Sequence, residues 1–218
     1  MSTGINQPSY VSMHIEHSTH DDAVKMDPGL EDAIKWTATS MYVGGSDTTV
    51  AVLSAFVLAM TMFPEVQKTA QKEIDTIIGS NRLPELQDQE RLPYVSAVVK
   101  EALRWFLVTP MGAPHLTEDD IHYQGYTILK GAIILAATWW FYNDLQEYHN
   151  PLAFESERFL APRNEVDPAE TVFGHGRRVC PGKYIADMSP LLTISRILAI
   201  FEIRRAVDKS GMPIKTKR

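Results

Sequence analysis

A single cysteine, Cys180, stands among 218 residues, so no disulfide can close within the chain and a zinc site built from several thiolates is excluded. A reducing compartment is the expected setting. Basic residues are short as well: 21 Lys and Arg stand against 27 Asp and Glu, for a net charge of -6. That balance lacks the basic face needed to neutralise phosphates, so nucleic acid is not an expected partner. The first 24 residues hold no Lys, no Arg and no apolar run, so neither a secretory signal nor a transit peptide is read there. No apolar stretch reaches the ~20 residues that a membrane span wants. The longest uncharged run, Thr48 to Pro64, carries three Thr and a Ser and ends at proline, which reads as a buried core helix.

What is present is the composition of an ordinary globular chain, with 44% hydrophobic and 22% charged residues, 12 Gly and 13 Pro. The length suits one generous domain or two small ones. Residues 1–26 are polar and place His14, His17 and His20 three apart, a spacing open to weak metal binding or to a solvated helix or tail. Asp27-Pro28 reads as an N-cap followed by an N1 proline, with Glu31 and Asp32 in the positive first turn. The helix so started is expected to run to Phe63, about 50 Å at the usual rise per residue, with Gly44-Gly45 as its weak point.

Pro64 opens a second helix with an apolar stripe of Val66, Ala70, Ile74 and Ile77, stopped by Gly79. Leu92-Pro93-Tyr94 introduces a third, through about Trp105. From Pro110 the pattern turns to short extended pieces at 121–123, 126–128 and 132–136, the last two joined by a turn at Lys130-Gly131. Residues 144–179 are irregular and proline-rich, as functional loops often are. A last helix follows Cys180, with Ile185, Met188, Leu192 and residues 197–201 as its expected buried side and Pro190 as an expected interruption.

The chemistry concentrates in Phe173-Gly174-His175-Gly176-Arg177-Arg178-Val179-Cys180-Pro181-Gly182. Arginines, a lysine and a helix N-terminus surround the lone sulfur, the setting of a metal ligand or a nucleophile, although free cysteines are also commonly buried for structural reasons. The glycines suit a loop folded closely around sulfur, because they take positive φ without penalty. This spacing, Phe173-x-x-Gly176-x-Arg178-x-Cys180-x-Gly182, resembles the cysteine loop of the haem-thiolate monooxygenases, the cytochromes P-450.

Further features agree with the resemblance. Gly44-Gly45-Ser46-Asp47-Thr48-Thr49 is similar to the family's oxygen-binding stretch, which implies that Asp47 and Thr48 relay protons; alone, the same residues would suit a cap on a new helix. Two adjacent glycines, each costing about 1 kcal/mol relative to Ala, also suggest a groove or kink. Glu101-Ala102-Leu103-Arg104 puts opposite charges three apart on one helix face, and the resemblance implies a buried structural triad with Arg158. His115 resembles the position that contacts one haem propionate, and Arg178 the one that contacts the other. The intervening wording, including Pro64-Glu65-Val66-Gln67 and Arg91-Leu92-Pro93-Tyr94-Val95, is similar to fungal, particularly basidiomycete, members. Departures from the family pattern are Ser156 and Leu129 in place of Pro and His175 in place of an aromatic.

The resemblance therefore implies a mainly α fold with a small β component, spanning residues 1–218 as a partial cytochrome P-450 domain that corresponds to its C-terminal half. It implies haem b with Cys180 as axial iron ligand, with Arg178, His115, Phe173, Gly176 and Gly182 as its other binding residues. It also implies insertion of one oxygen atom of dioxygen into a small, apolar organic substrate, with electrons from NADPH through a reductase. Arg177, Lys183 and Lys100 are candidates for a basic docking patch for that reductase. Family members of this kind are anchored to the endoplasmic reticulum facing the cytosol; no anchor is read here, which leaves the location cytoplasmic or undefined. The family's N-terminal half would be a further partner, so inactivity alone is expected, and a non-catalytic, haem-binding remnant is the rival. A cysteine hydrolase pairing Cys180 with His175 is a more distant one, since five residues of tight loop make that geometry awkward.

Overall fold

The computed structural model describes residues 8–18 and 27–214. His20, the third histidine of the N-terminal spacing, lies outside the described residues, as do residues 1–7 and 21–26 of the polar segment. Helix α1, Tyr10–Ser18, buries none of its residues. It begins on a reciprocal cap in which the Ser9 hydroxyl accepts the Ser12 N–H and the Ser12 hydroxyl accepts the Ser9 N–H. Among the described residues no group of three His, Cys, Asp or Glu side chains is placed to hold a metal ion.

Helix α2 spans Pro28–Met62. The expected cap is formed: Asp27 Oδ2 accepts the Leu30 N–H at 3.1 Å, and Lys35 pairs with Glu31 at 2.7 Å on the next turn. The helix passes Gly44-Gly45 without a break, so neither Ser46 nor Asp47 caps a new helix. The chain forms two compact units, residues 1–48 and 49–218. α2 is long and apolar enough to cross a membrane by length and composition. Its last turns nonetheless bury Val52, Phe56, Ala59 and Met60 in the core of the second unit, the packing of a core helix.

That core is completed by α3 (Pro64–Ile77), α4 (Pro93–Trp105) and α6 (Lys183–Ile200), which supply Ala70 and Ile74, Val95, Val98 and Ala102, and Leu191, Ile194 and Leu198 respectively. Both α3 and α4 start on proline, where the missing N–H is not needed, and Gly79 follows α3 at φ +76°. The free N-terminal amides of α4 are satisfied across the helix pair: the Glu73 carboxylate on α3 accepts the N–H groups of Tyr94 and Val95, both at 2.9 Å. Gln67 does the same for the segment after α6, exchanging two hydrogen bonds with the backbone of Ile203.

A 3-10 turn at Leu86–Arg91 joins α3 to α4 and encloses Asp88. Two Arg82 nitrogens donate to its carboxylate at 2.7 Å each and the Glu85 N–H at 2.9 Å. The Arg82 guanidinium, then the Glu85 amide, holds the Asp88 carboxyl down at about 2 from an ordinary 3.8. A depressed carboxyl stabilises the fold fully above its unfolded pKa and loses that contribution as pH falls through the folded one. Acid unfolding of the native chain should therefore contain a component between pH 4 and 2 that Asp88→Asn removes, measurable by denaturant titration at a series of pH values. An unchanged pH profile in the variant would contradict the assignment.

The extended pieces form two small antiparallel pairs, and here the expected connectivity is corrected. β2 (Ile121–Tyr123) and β3 (Tyr126–Ile128) make a hairpin through Gln124-Gly125, both at positive φ, as a two-residue hairpin turn requires. β1 (His115–Leu116) pairs with β4 (Ile133–Ile134). Lys130-Gly131 does turn, but it returns the chain to β1 and does not join two paired strands.

A short helix α5 (Thr138–Asn143) leads into the irregular region, which ends at α6. Two expectations for α6 are corrected. Pro190 lies inside an unbroken helix and is buried, so the lost hydrogen bond is accommodated. The buried side is Leu191, Ile194, Ser195 and Leu198, whereas Ile185 is 71% and Met188 41% exposed, and Phe201 is exposed as well. Only the second half of α6 packs on α3 and α4, so apolar residues in its first turns have no helix to face.

Candidate functional site

The irregular loop is pinned by the buried triad. Arg104 grips Glu101 with two hydrogen bonds of 2.8 Å and also donates to the carbonyls of Tyr142 and Pro151 at 2.8 Å. Arg158 Nε approaches the same carboxylate at 3.4 Å, its other nitrogens reaching the carbonyls of His149 and Asn150 and the Glu165 carboxylate. All three side chains are fully buried. Burial is the largest influence on the Glu101 carboxyl and pushes it up, opposed by Arg104, the Glu155 amide and Arg158. The Trp105 indole N–H donates to the Leu152 carbonyl at 2.9 Å, so Arg104 and Trp105 of α4 hold the four carbonyls of Tyr142, Pro151, Leu152 and Ala153 in place.

Ser156, the residue that stands where the resemblance expects proline, is fully buried and its hydroxyl has no hydrogen-bond partner among the described residues. It is the first residue of a 3-10 turn, Ser156–Phe159, where a missing N–H costs nothing within the turn. Ser156→Pro removes an unsatisfied hydroxyl that costs about 1–3 kcal/mol. The variant should melt several degrees higher in a thermal scan; a lower midpoint would show that the ring does not fit.

The cysteine loop is closed at its neck by the Cys180 N–H, which donates to the Phe173 carbonyl at 2.8 Å. Lys183, at the far side, places its ammonium 5.8 Å from the centre of the Phe173 ring. Between them a 3-10 turn, Gly176–Arg178, is entered through Gly174 at φ +74° and Gly176 at φ +58°. These two positions demand glycine, as the sequence expects of the loop's glycines, although the family spacing names only Gly176 of the pair. Gly182, expected to fold closely on sulfur, has a negative φ, and a Cβ there would stand 3.8 Å from Cys180 Sγ, an ordinary contact. Its backbone instead supplies the N-cap of α6.

Cys180 is half-buried and free. No hydrogen bond joins it to His175, which is exposed at the entry to the turn, so the Cys–His hydrolase geometry is not present. Two clefts, of about 450 and 650 Å³, share the residues Pro114, His115, Arg177 and Arg178. The structure thus brings His115 from β1 together with Arg178 from the cysteine loop, 63 positions later in sequence. Val179 and Pro181, on either side of Cys180, line the smaller cleft, and Glu118 lines the larger. A soft sulfur donor beside guanidinium and imidazole groups is a donor set that fits an iron porphyrin carrying carboxylates.

Thr48 and Asp47 belong to the first unit, and the cysteine loop to the second. The Thr48 hydroxyl donates to the Gly44 carbonyl at 2.6 Å, the competition for a backbone acceptor that its position suggests. Added Cβ atoms on Gly44 and Gly45 would meet nothing within 4 Å, so the glycines leave clearance along that helix face. Of the three cations considered for docking, Lys100 pairs with Asp167 at 2.7 Å, Lys183 stacks over Phe173, and Arg177 lines the cleft. Two of the three thus have local partners, and the Arg177 side chain has none among the described residues.

Comparison with known proteins agrees with this geometry. Residues 11–217 match the cytochrome P-450 family pattern. The chain is 48% identical over 219 residues to a cytochrome P-450 monooxygenase of Ampulloclitocybe clavipes, covering 99% of this chain and 39% of that protein. It is 45% identical over 217 residues to a multifunctional cytochrome P-450 monooxygenase of Aspergillus fumigatus, covering 98% and 40%. A cytochrome P-450 monooxygenase of Postia placenta is 46% identical over 211 residues, with 95% and 40% covered. The chain spans about two fifths of the length of these fungal relatives.

Proposed function

The chain belongs to the cytochrome P-450 family, and from that premise we propose that it carries the cysteine side of a haem b site in a monooxygenase. The observation that carries this reading is the pairing of a closed cysteine loop with a cleft lined by Arg178 and His115. Cys180 would hold the iron through its sulfur. Arg178 and His115 would bind haem carboxylates, Gly176 allows the loop its left-handed turn, and the Phe173 carbonyl and ring fix the two ends of that loop. Glu101, Arg104 and Arg158 hold the segment that leads to it. When bound, haem with a thiolate ligand supplies electron-rich iron that favours O–O cleavage.

The proposed reaction inserts one atom of dioxygen into a small, apolar organic substrate, the other leaving as water, with electrons from NADPH through a reductase. The proposed setting is the endoplasmic reticulum membrane. Asp47 and Thr48 deliver protons: the Thr48 hydroxyl, held on the Gly44 carbonyl, is a positioned donor and acceptor, and the adjacent acid recharges it. In an enzyme completed to the relatives' length, Thr48→Ala should lower product formed per NADPH by about tenfold or more and raise peroxide, with haem content unchanged. Unaltered coupling would remove Thr48 from the relay.

Because two fifths of the relatives' length is present, the chain produced alone is the half-site of a two-faced cofactor and is not competent for turnover. Exposed apolar residues at the start of α6, Tyr184 at 80% and Ile185 at 71%, are surface that soluble monomers seldom leave open. The test is to add haemin to the purified chain and record the carbon monoxide spectrum of the reduced form, then assay turnover with reductase and NADPH. The expected result is a red-shifted thiolate band without turnover. Uptake of haem without that band would contradict Cys180 as ligand, and coupled oxygenation would contradict the half-site reading.

A further inference from the structure

We infer that Arg177 is a third carboxylate-binding residue of the cleft, joining His115 at one haem propionate while Arg178 takes the other; this rests on the haem reading above. Arg177 and Arg178 are successive residues of one 3-10 turn. With three residues per turn, their side chains leave the backbone roughly 120° apart. Both nevertheless line both clefts together with His115. Side chains that diverge from one turn reach two separated acceptors more readily than they chelate one, and haem presents two carboxylates on one edge.

The charge inventory of the cleft points the same way. Among the described residues Glu118 is the one acidic side chain lining it, on the wider side. Neither guanidinium has a hydrogen bond or carboxylate partner among the described residues, whereas the side chains of Lys100, Arg82, Arg163 and Arg204 all do. Two guanidinium groups exposed side by side and left without an acid are the electrostatic complement of a dianion. A wider docking patch would ask for free cations beyond Arg177 and Arg178, and Lys100 and Lys183 are otherwise engaged.

The test separates carboxylate recognition from every other contribution by using two probes, haemin and haemin dimethyl ester, whose carboxylates are masked. Each is titrated into the native chain, Arg177→Gln and Arg177→Lys, followed by absorption. Arg177 is exposed and bonds to no described residue, so both variants should keep the native fold. Arg177→Gln is expected to weaken haemin binding about threefold to fivefold, the yield of a solvent-exposed charge pair. It should leave the dimethyl ester unaffected, and Arg177→Lys should recover most of the loss. Equal haemin affinity for native and Arg177→Gln, or an equal loss with the ester, would overturn the inference while leaving Cys180 ligation intact. A native chain that takes up neither probe overturns the haem reading itself, and this inference with it.

Discussion

Replacement of Cys180 by serine is expected to abolish monooxygenation in an enzyme completed to the relatives' length and to eliminate the red-shifted carbon monoxide band. The effect should be all-or-none because Cys180 is the one cysteine of these 218 residues and the one sulfur in the loop, so no other thiolate of this chain can substitute. A hydroxyl in its place is a harder, less electron-releasing donor that does not supply the same push to iron. The loop itself should survive, since its closure depends on the residue-180 N–H and the Phe173 carbonyl and on glycines at 174 and 176. Haem should still enter through the carboxylate contacts of the cleft, with altered spectrum. Retained turnover in the serine variant would defeat the assignment.

The second large effect concerns Glu101. It is the carboxylate that Arg104 grips and one that Arg158 approaches, and all three side chains are fully buried. Glu101→Gln keeps the shape but leaves two guanidinium groups enclosed, with Arg104 deprived of an anionic partner. Breaking a buried pair in this way costs about 3–5 kcal/mol, against a typical net stability of about 5–15 kcal/mol. The variant should lose a large part of its urea midpoint. Arg158→Met should cost less, because Glu101 keeps Arg104 and the removed charge leaves Glu165 still paired with Arg163. A loss below about 1 kcal/mol for Glu101→Gln would mean that the carbonyls of 142, 149, 150 and 151 satisfy the guanidinium groups without it.

Much of this architecture is legible from local signals. Prolines at 28, 64 and 93 start α2, α3 and α4 as a fixed φ at N1 dictates, and Gly79 ends α3. The cysteine loop and the Glu101–Arg104 spacing announce themselves through residue type and interval. What was not legible depended on distant partners. The pairing of β1 with β4 is made by residues 115–116 and 133–134, too short and too far apart for a period-of-two pattern. The buried side of α6 is chosen by where α3 and α4 lie, not by its own apolar residues, which encircle it. The cleft itself joins residue 115 to residues 177–178, a proximity that no local pattern carries. Glycine at 174 was legible as a positive-φ position, although the family spacing names only Gly176 of the pair.

The central claim is that the sulfur of Cys180 binds haem iron, and iron K-edge X-ray absorption of the haemin-loaded chain tests it without reliance on turnover. The expected spectrum requires one sulfur scatterer beside the porphyrin nitrogens, lost in Cys180→Ser. A first shell of nitrogen and oxygen alone in the native chain, or a sulfur contribution that survives the substitution, would contradict it.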